Sequence, residues 1–104
     1  MLRSMYSGIS AMKSNQTKMD VVGNNVANVG TTAYKKTSTR FADALYQSSI
    51  YPSAPTATSG GVNPGQVGIG VKVSGILKNM VQGSLQTTGR DTDLAIDGDG
   101  FFTV

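Results

Sequence analysis

The side chains able to do chemistry are few. All six acidic residues are aspartates, and four of them, Asp91, Asp93, Asp97 and Asp99, share one short stretch. Such a run would hold calcium if oxygen ligands stood at loop positions one, three and five, with Gly at six and Glu at twelve. Counted from Asp91, the fifth and sixth residues are Ala95 and Ile96; counted from Asp97, the fifth is Phe101. Neither count closes a site, and Asp-Gly pairs suit a tight turn. The chain has no Cys and no His. Zinc clusters, thiol nucleophiles, imidazole bases and disulfides are therefore excluded. The run Gly65-Gln-Val-Gly-Ile-Gly-Val71 lacks the Gly-Lys-Ser/Thr end of a phosphate loop and precedes a strand rather than a helix. Lys35, Lys36 and Arg40 lie beside Tyr34 and Phe41, a pattern that can grip single-stranded nucleic acid. Three cations in six residues more often make a solvated face, and phosphate binding needs many more. No cofactor, no metal, no nucleic acid and no enzymatic activity are expected.

With 104 residues the chain is one domain at most, and its net charge is +3. Only 14% of residues are charged, against about 25% in an average soluble domain. Ser, Thr, Asn and Gln, at 11, 11, 6 and 5, fill the gap. Such a surface repels its neighbours weakly and suits close packing against other protein. Charge is also lopsided, +6 over residues 1–78 and −3 over residues 79–104. No stretch approaches the ~20 apolar residues of a bilayer span, so no membrane insertion is expected. The first residues lack the apolar run of a cleaved signal peptide.

The elements that carry these residues follow from periodicity, and together they predict an α+β fold. Leu2, Met5, Ile9, Met12, Met19 and Val26 recur in alternating steps of three and four, with Gln16 and Gly23 at the two remaining positions of the row. This heptad pattern predicts a helix over residues 1–29 with one narrow apolar seam. Tyr6, Val22 and Val29 broaden the seam. Ser4, Lys13, Ser14, Thr17, Lys18 and Asn25 fall on the other side. Gly8 and Gly23 each cost about 1 kcal/mol relative to Ala, so the helix depends on burial of its seam. Gly30 is expected to end it in the left-handed conformation. Beyond it, Tyr34, Phe41, Ala42, Leu45 and Tyr46 fit a short helix from about Ser38 to Ser48, while Ala33–Arg40 also reads as extended. An extended piece followed by a short helix is expected. Residues 49–65 hold all three prolines and read as a flexible linker. From Gln66 the period becomes two, with Val67, Ile69, Val71 and Val73 as a strand, and Ile76–Val81 as a second. Asp93–Ile96 and Phe101–Val104 around Asp-Gly-Asp-Gly predict a hairpin. The expected organisation is an assembly helix over 1–30, an extended segment, short helix and Pro/Gly-rich linker over 31–65, and a β-rich part over 66–104.

The seam has three readings. A membrane-surface helix would show a larger cationic face with Trp or Phe beneath it; Arg3, Lys13 and Lys18 are scattered. A globular core usually takes a wider stripe. Assembly with other helices fits the narrow Met-rich row best, and packing on the chain's own sheet is the competing reading. The competitor would be a monomeric binding module that melts cooperatively and is fully helical when dilute.

Val22-Gly-Asn-Asn-Val-Ala-Asn-Val-Gly-Thr-Thr-Ala-Tyr-Lys35 closely resembles the N-terminal signature of the flagellar rod and hook family, carried by Asn24, Asn25, Ala27, Asn28, Thr32, Tyr34 and Lys35. A second landmark agrees in order and spacing: Gly-Ile-Gly-Val-Lys-Val, then Gln-Gly-Ser-Leu-Gln-Thr-Thr-Gly, then Asp-Leu-Ala-Ile-Asp-Gly-Asp-Gly-Phe-Phe. The start Met-Leu-Arg-Ser-Met-Tyr-Ser-Gly-Ile-Ser-Ala-Met favours the hook branch over the distal rod. The resemblance implies a homo-oligomer of many copies in a helical tube, the hook being a bendable coupling between rod and filament. It implies that residues 1–29 line the inner layer and pair with a C-terminal helix of the same subunit. It also implies export through the flagellar type III apparatus, residence in the basal body or hook outside the cytoplasm, and contacts with rod, hook-cap and junction proteins. Family chains run well past Val104, so this sequence reads as a part of a longer subunit. An isolated seam is then expected to order on contact with the growing end, as coupled folding and binding.

Overall fold

A computed structural model describes residues 1–104. One helix, α1 (Leu2–Ala27), is followed by four strands: β1 (Thr37–Asp43), β2 (Tyr46–Ile50), β3 (Gly65–Gly68) and β4 (Val71–Lys78). β1 pairs antiparallel with β4, and β2 with β3. The two pairs are one ribbon. Ala44 N–H donates to Gly70 O at 2.9 Å and Ile69 N–H to Leu45 O at 3.1 Å, which carries the ladder across the joint. Asn79 N–H closes its base on Lys36 O at 2.9 Å. Near its tip, Ser53 and Val62 exchange both backbone bonds at 3.1 Å.

Bulges bend this ribbon. Arg40 faces Gly75 and Phe41 faces Val73, so Ser74 is the unpaired extra residue; Ser49 plays the same part between Ser48 and Ile50. A bulge increases local twist and shifts which side chains face inward. Accordingly Thr37, Thr39 and Ala42 are half-buried while Arg40 and Asp43 are exposed.

Several expectations change. No short helix lies between Ser38 and Ser48; β1 and β2 occupy it. The Thr- and aromatic-rich sequence suits a pleated surface, and β4 offers a complete antiparallel partner. Residues 49–65 are the turning end of the ribbon, with Thr56 N–H bonded to Ser59 O at 2.8 Å across the loop. Val67–Val73 is split at Gly70, whose φ is +143°, and one strand, β4, runs to Lys78 in place of a second strand over Ile76–Val81. The hairpin expected over 93–104 is absent: Gly98 bends the chain with φ +106°, but no ladder forms. Two short strands with no third strand beside them are marginal. Gly30 is not left-handed; that conformation falls on Ala33, with φ +61°.

No hydrophobic side chain is fully buried, and the one buried residue is Ser14. The accessible surface is 9122 Å², against roughly 5,500 Å² for a compact monomer of this mass. The radius of gyration is 24.3 Å, against about 13 Å for a compact domain of this length. No helix is long and apolar enough to cross a membrane.

Candidate functional site

Helix α1 carries two rows of residues at heptad spacing. One row is mostly small or polar: Ser7, Ser10, Ala11, Ser14, Thr17, Val21 and Asn25 are the half-buried or buried residues of the helix, followed by half-buried Asn28 at its C-cap, and the helix packs on β1 and β4. The apolar seam lies on nearly the opposite side of the helix from it, at 3.6 residues per turn. Leu2, Met5, Met12, Met19 and Val26 are each at least 62% exposed, and Ile9 is 42% exposed. The helix does lie on its own ribbon, but with the face opposite to the one its apolar pattern advertises.

Polar side chains hold that contact. Asn25 Nδ2 donates to Thr37 O at 2.7 Å, and Asn25 Oδ1 accepts from Thr37 N–H at 3.0 Å. One side-chain amide thus serves Thr37 as a neighbouring strand would. Tyr34 OH also donates to Asn25 Oδ1 at 2.8 Å. At the other end, Val71 N–H donates to Ser10 Oγ and Ser14 Oγ donates to Val71 O, both at 3.4 Å. Ser10 in turn donates to Ser7 O at 2.8 Å. Gly70 permits the approach: a Cβ there would collide with Ser10 Oγ and lie 3.5 Å from Ser7 Cα. Lys18 Nζ stands 5.9 Å from the centre of the Phe41 ring, within cation–π range.

The remaining residues of the Asn-rich motif build the exit from the helix. Asn28 Nδ2 donates to Asn24 O at 2.9 Å and to Asn24 Oδ1 at 2.6 Å. Thr31 Oγ1 donates to Asn28 Oδ1 at 3.1 Å. These bonds link the side chains of the last turn to one another and to Asn24 O, which also accepts from Asn28 N–H at 3.1 Å. Lys35 Nζ donates to Val81 O at 3.0 Å and ties the turn to the segment after β4. Ala27 and Thr32 are exposed; Thr32 joins Tyr34, Leu85, Leu94 and Phe102 around an open cleft of about 500 Å³. No group of three acidic side chains converges as a metal site would require. Within the motif, Asn25, Asn28 and Lys35 bond backbone groups, and Tyr34 bonds the Asn25 side chain. The sequence reading missed Ser7, Ser10, Ala11 and Val21; the available signal was a row of mostly small residues on the side of the helix away from the apolar one.

Residues 5–35 match the family described as flagella basal body rod protein. The flagellar hook protein FlgE of Treponema pallidum (strain Nichols) is 48% identical over 104 residues, which is 100% of this chain and 22% of that protein. The hook protein FlgE of Borreliella burgdorferi is 48% identical over 102 residues, 98% of this chain and 23% of that protein. The flagellar basal-body rod protein FlgG of Bacillus subtilis (strain 168) is 50% identical over 104 residues, 100% of this chain and 39% of that protein. Over its whole length this chain is similar to flagellar hook and basal-body rod proteins. It spans between 22% and 39% of the length of these relatives. The family signature falls on α1 and its exit turn, where the polar clamp and the exposed seam sit on one helix.

Proposed function

We propose that the chain is part of a structural subunit of the bacterial flagellum that self-assembles into the hook, the tubular flexible coupling between rod and filament. The observation that carries this reading is the exposed seam on a helix already docked by its other face. Burying a Met, Leu or Ile side chain contributes about 1.5–3 kcal/mol, and the chain's own ribbon leaves that contribution unused. Many copies can collect it, because a contact between two different patches repeats from subunit to subunit without closing. Residues 1–30 supply the assembly element and line the tube; Leu2, Met5, Ile9, Met12, Met19 and Val26 are its packing residues. The role is structural, with no catalytic step. The partners are identical subunits, with rod, hook-cap and junction proteins at the ends, and the flagellar type III apparatus exports the chain beyond the cytoplasm.

Met12→Asp and Met19→Asp in the full-length subunit test this. Each places a charge on the seam without touching the clamp. Expressed in cells lacking their own hook subunit, both variants are expected to yield no tubes by electron microscopy while hydrogen exchange shows the ribbon intact. Tubes of normal number and length from both would overturn the reading.

The alternative is a distal rod subunit, which the 50% identity to the Bacillus subtilis rod protein favours. Complementation separates them: hook function returns in a hook-deficient strain, rod function in a strain lacking the distal rod protein.

A further inference from the structure

We infer that Ser10, Ser14 and Asn25 form a strap that sets the roll of α1 about its own axis and so keeps the seam turned outward; this rests on the assembly reading of that seam. A helix with a continuous apolar row and a β-ribbon beside it has an obvious wrong arrangement, in which the row turns onto the ribbon and is lost to other subunits. Three observations stand against that arrangement. The strap engages backbone groups at opposite ends of the β1/β4 pair, Thr37 at the start of β1 and Val71 at the start of β4. Two separated attachment points on one rigid helix fix its rotation as well as its position. Their spacing also fits: about thirteen residues of helix and the six-residue rise of the strand both span about 20 Å. Rolling the helix would strand the N–H and C=O of both residues against apolar side chains, where unpaired polar groups are penalised. The close approach at Gly70 adds a steric condition. It admits Ser7 and Ser10, and a methionine or isoleucine turned to the same place would hold the helix farther off.

The two ends differ in strength. Asn25 makes bonds of 2.7 and 3.0 Å, whereas both serine contacts stretch to 3.4 Å. Asn25 is accordingly the principal positioning residue and the serines are the secondary pair. Such a strap orients the helix through directional bonds and leaves the apolar row free. Its task is specificity of arrangement, which buried polar contacts are known to supply in other helical assemblies.

The test is thiol labelling of the unassembled full-length subunit carrying Met12→Cys as its only thiol. With the strap intact, a maleimide reacts at the rate of an exposed cysteine. Adding Ser10→Ala, Ser14→Ala and Asn25→Ala is expected to slow labelling about tenfold as the row turns inward, and to speed exchange of the Thr37 amide by roughly the same factor, the effect of one lost hydrogen bond. Unchanged labelling in that variant, with Thr37 protection lost and circular dichroism preserved, overturns the inference. If the triple variant unfolds, Asn25→Ala alone decides by the same rate, since it leaves the serine end in place. The labelling result does not depend on tubes. Normal assembly of Met12→Asp would sink the proposed function, while an unchanged labelling rate would sink the strap.

Discussion

Asn25 shows how one residue can decide a junction. Its amide presents a donor and an acceptor side by side, the arrangement that a backbone peptide group offers across a ladder, and it meets both polar groups of Thr37. Ala33 shows the reverse case. It holds φ +61°, a conformation that costs an L-residue roughly 1–2 kcal/mol. Ala33→Gly is expected to raise stability by up to about 1 kcal/mol, read as a higher denaturation midpoint; a lower midpoint would count against strain at this turn. Tyr46 gives a pH-dependent prediction. Its hydroxyl donates to Asp43 Oδ2 at 2.8 Å. That bond, and then the nearby carboxylate charge, hold the phenol above its ordinary pKa. The contribution of this pair to folding is complete below the ordinary tyrosine value and is lost as pH rises through the raised one. Asp43→Asn should return one of the four tyrosines to ordinary titration in tyrosinate absorbance, and an identical titration curve would contradict it.

At the scale of the element, α1 is a weak helix used in a demanding place. It has no side-chain N-cap, no acidic residue in its first turn and no basic residue in its last, so neither end is stabilised by charge. Gly8 and Gly23 weaken its interior, and a Cβ at either would meet nothing within 4 Å in the single chain. Gly8→Ala and Gly23→Ala should therefore each favour the helix by about 1 kcal/mol, seen as stronger far-ultraviolet helicity in the lone chain. Helicity that stays flat or falls would mean that α1 is held by something other than propensity and the strap. The ribbon is the complementary element. Its ladder runs from Lys36–Asn79 to Ile50–Gly65, with an isolated bridge at Ser53–Val62 beyond it, and its bulges at Ser49 and Ser74 supply twist.

The whole molecule is an extended arm, 85 by 31 by 23 Å. Backbone ladders and polar clamps keep it in shape, in the absence of a buried apolar core. Small-angle scattering of the dilute chain should return a radius of gyration near 24.3 Å. A value close to the ~13 Å of a compact domain would mean that the seam had folded inward, and would remove the basis for assembly. Sparse charge fits this shape, since long exposed faces of such subunits can lie side by side with little repulsion.

Periodicity alone determined α1, its seam and the presence of strands after it. Those features are local: side-chain spacing along a helix or strand is set by backbone geometry. The Asn-rich turn was also visible as a motif, from Asn24 to Lys35. Which face of α1 meets the ribbon was not, because hydrophobic pattern predicts the inward side only where burial is settled within one chain. The replacement of a short helix by β1 and β2 was equally out of reach. Phe41, Leu45 and Tyr46 fit either period, and only the distant partner strands Gly65–Gly68 and Val71–Lys78 break the tie. Tertiary structure decided these points because a ladder bond or an Asn25–Thr37 clamp needs two stretches of chain brought together, and one-dimensional spacing carries no record of that meeting.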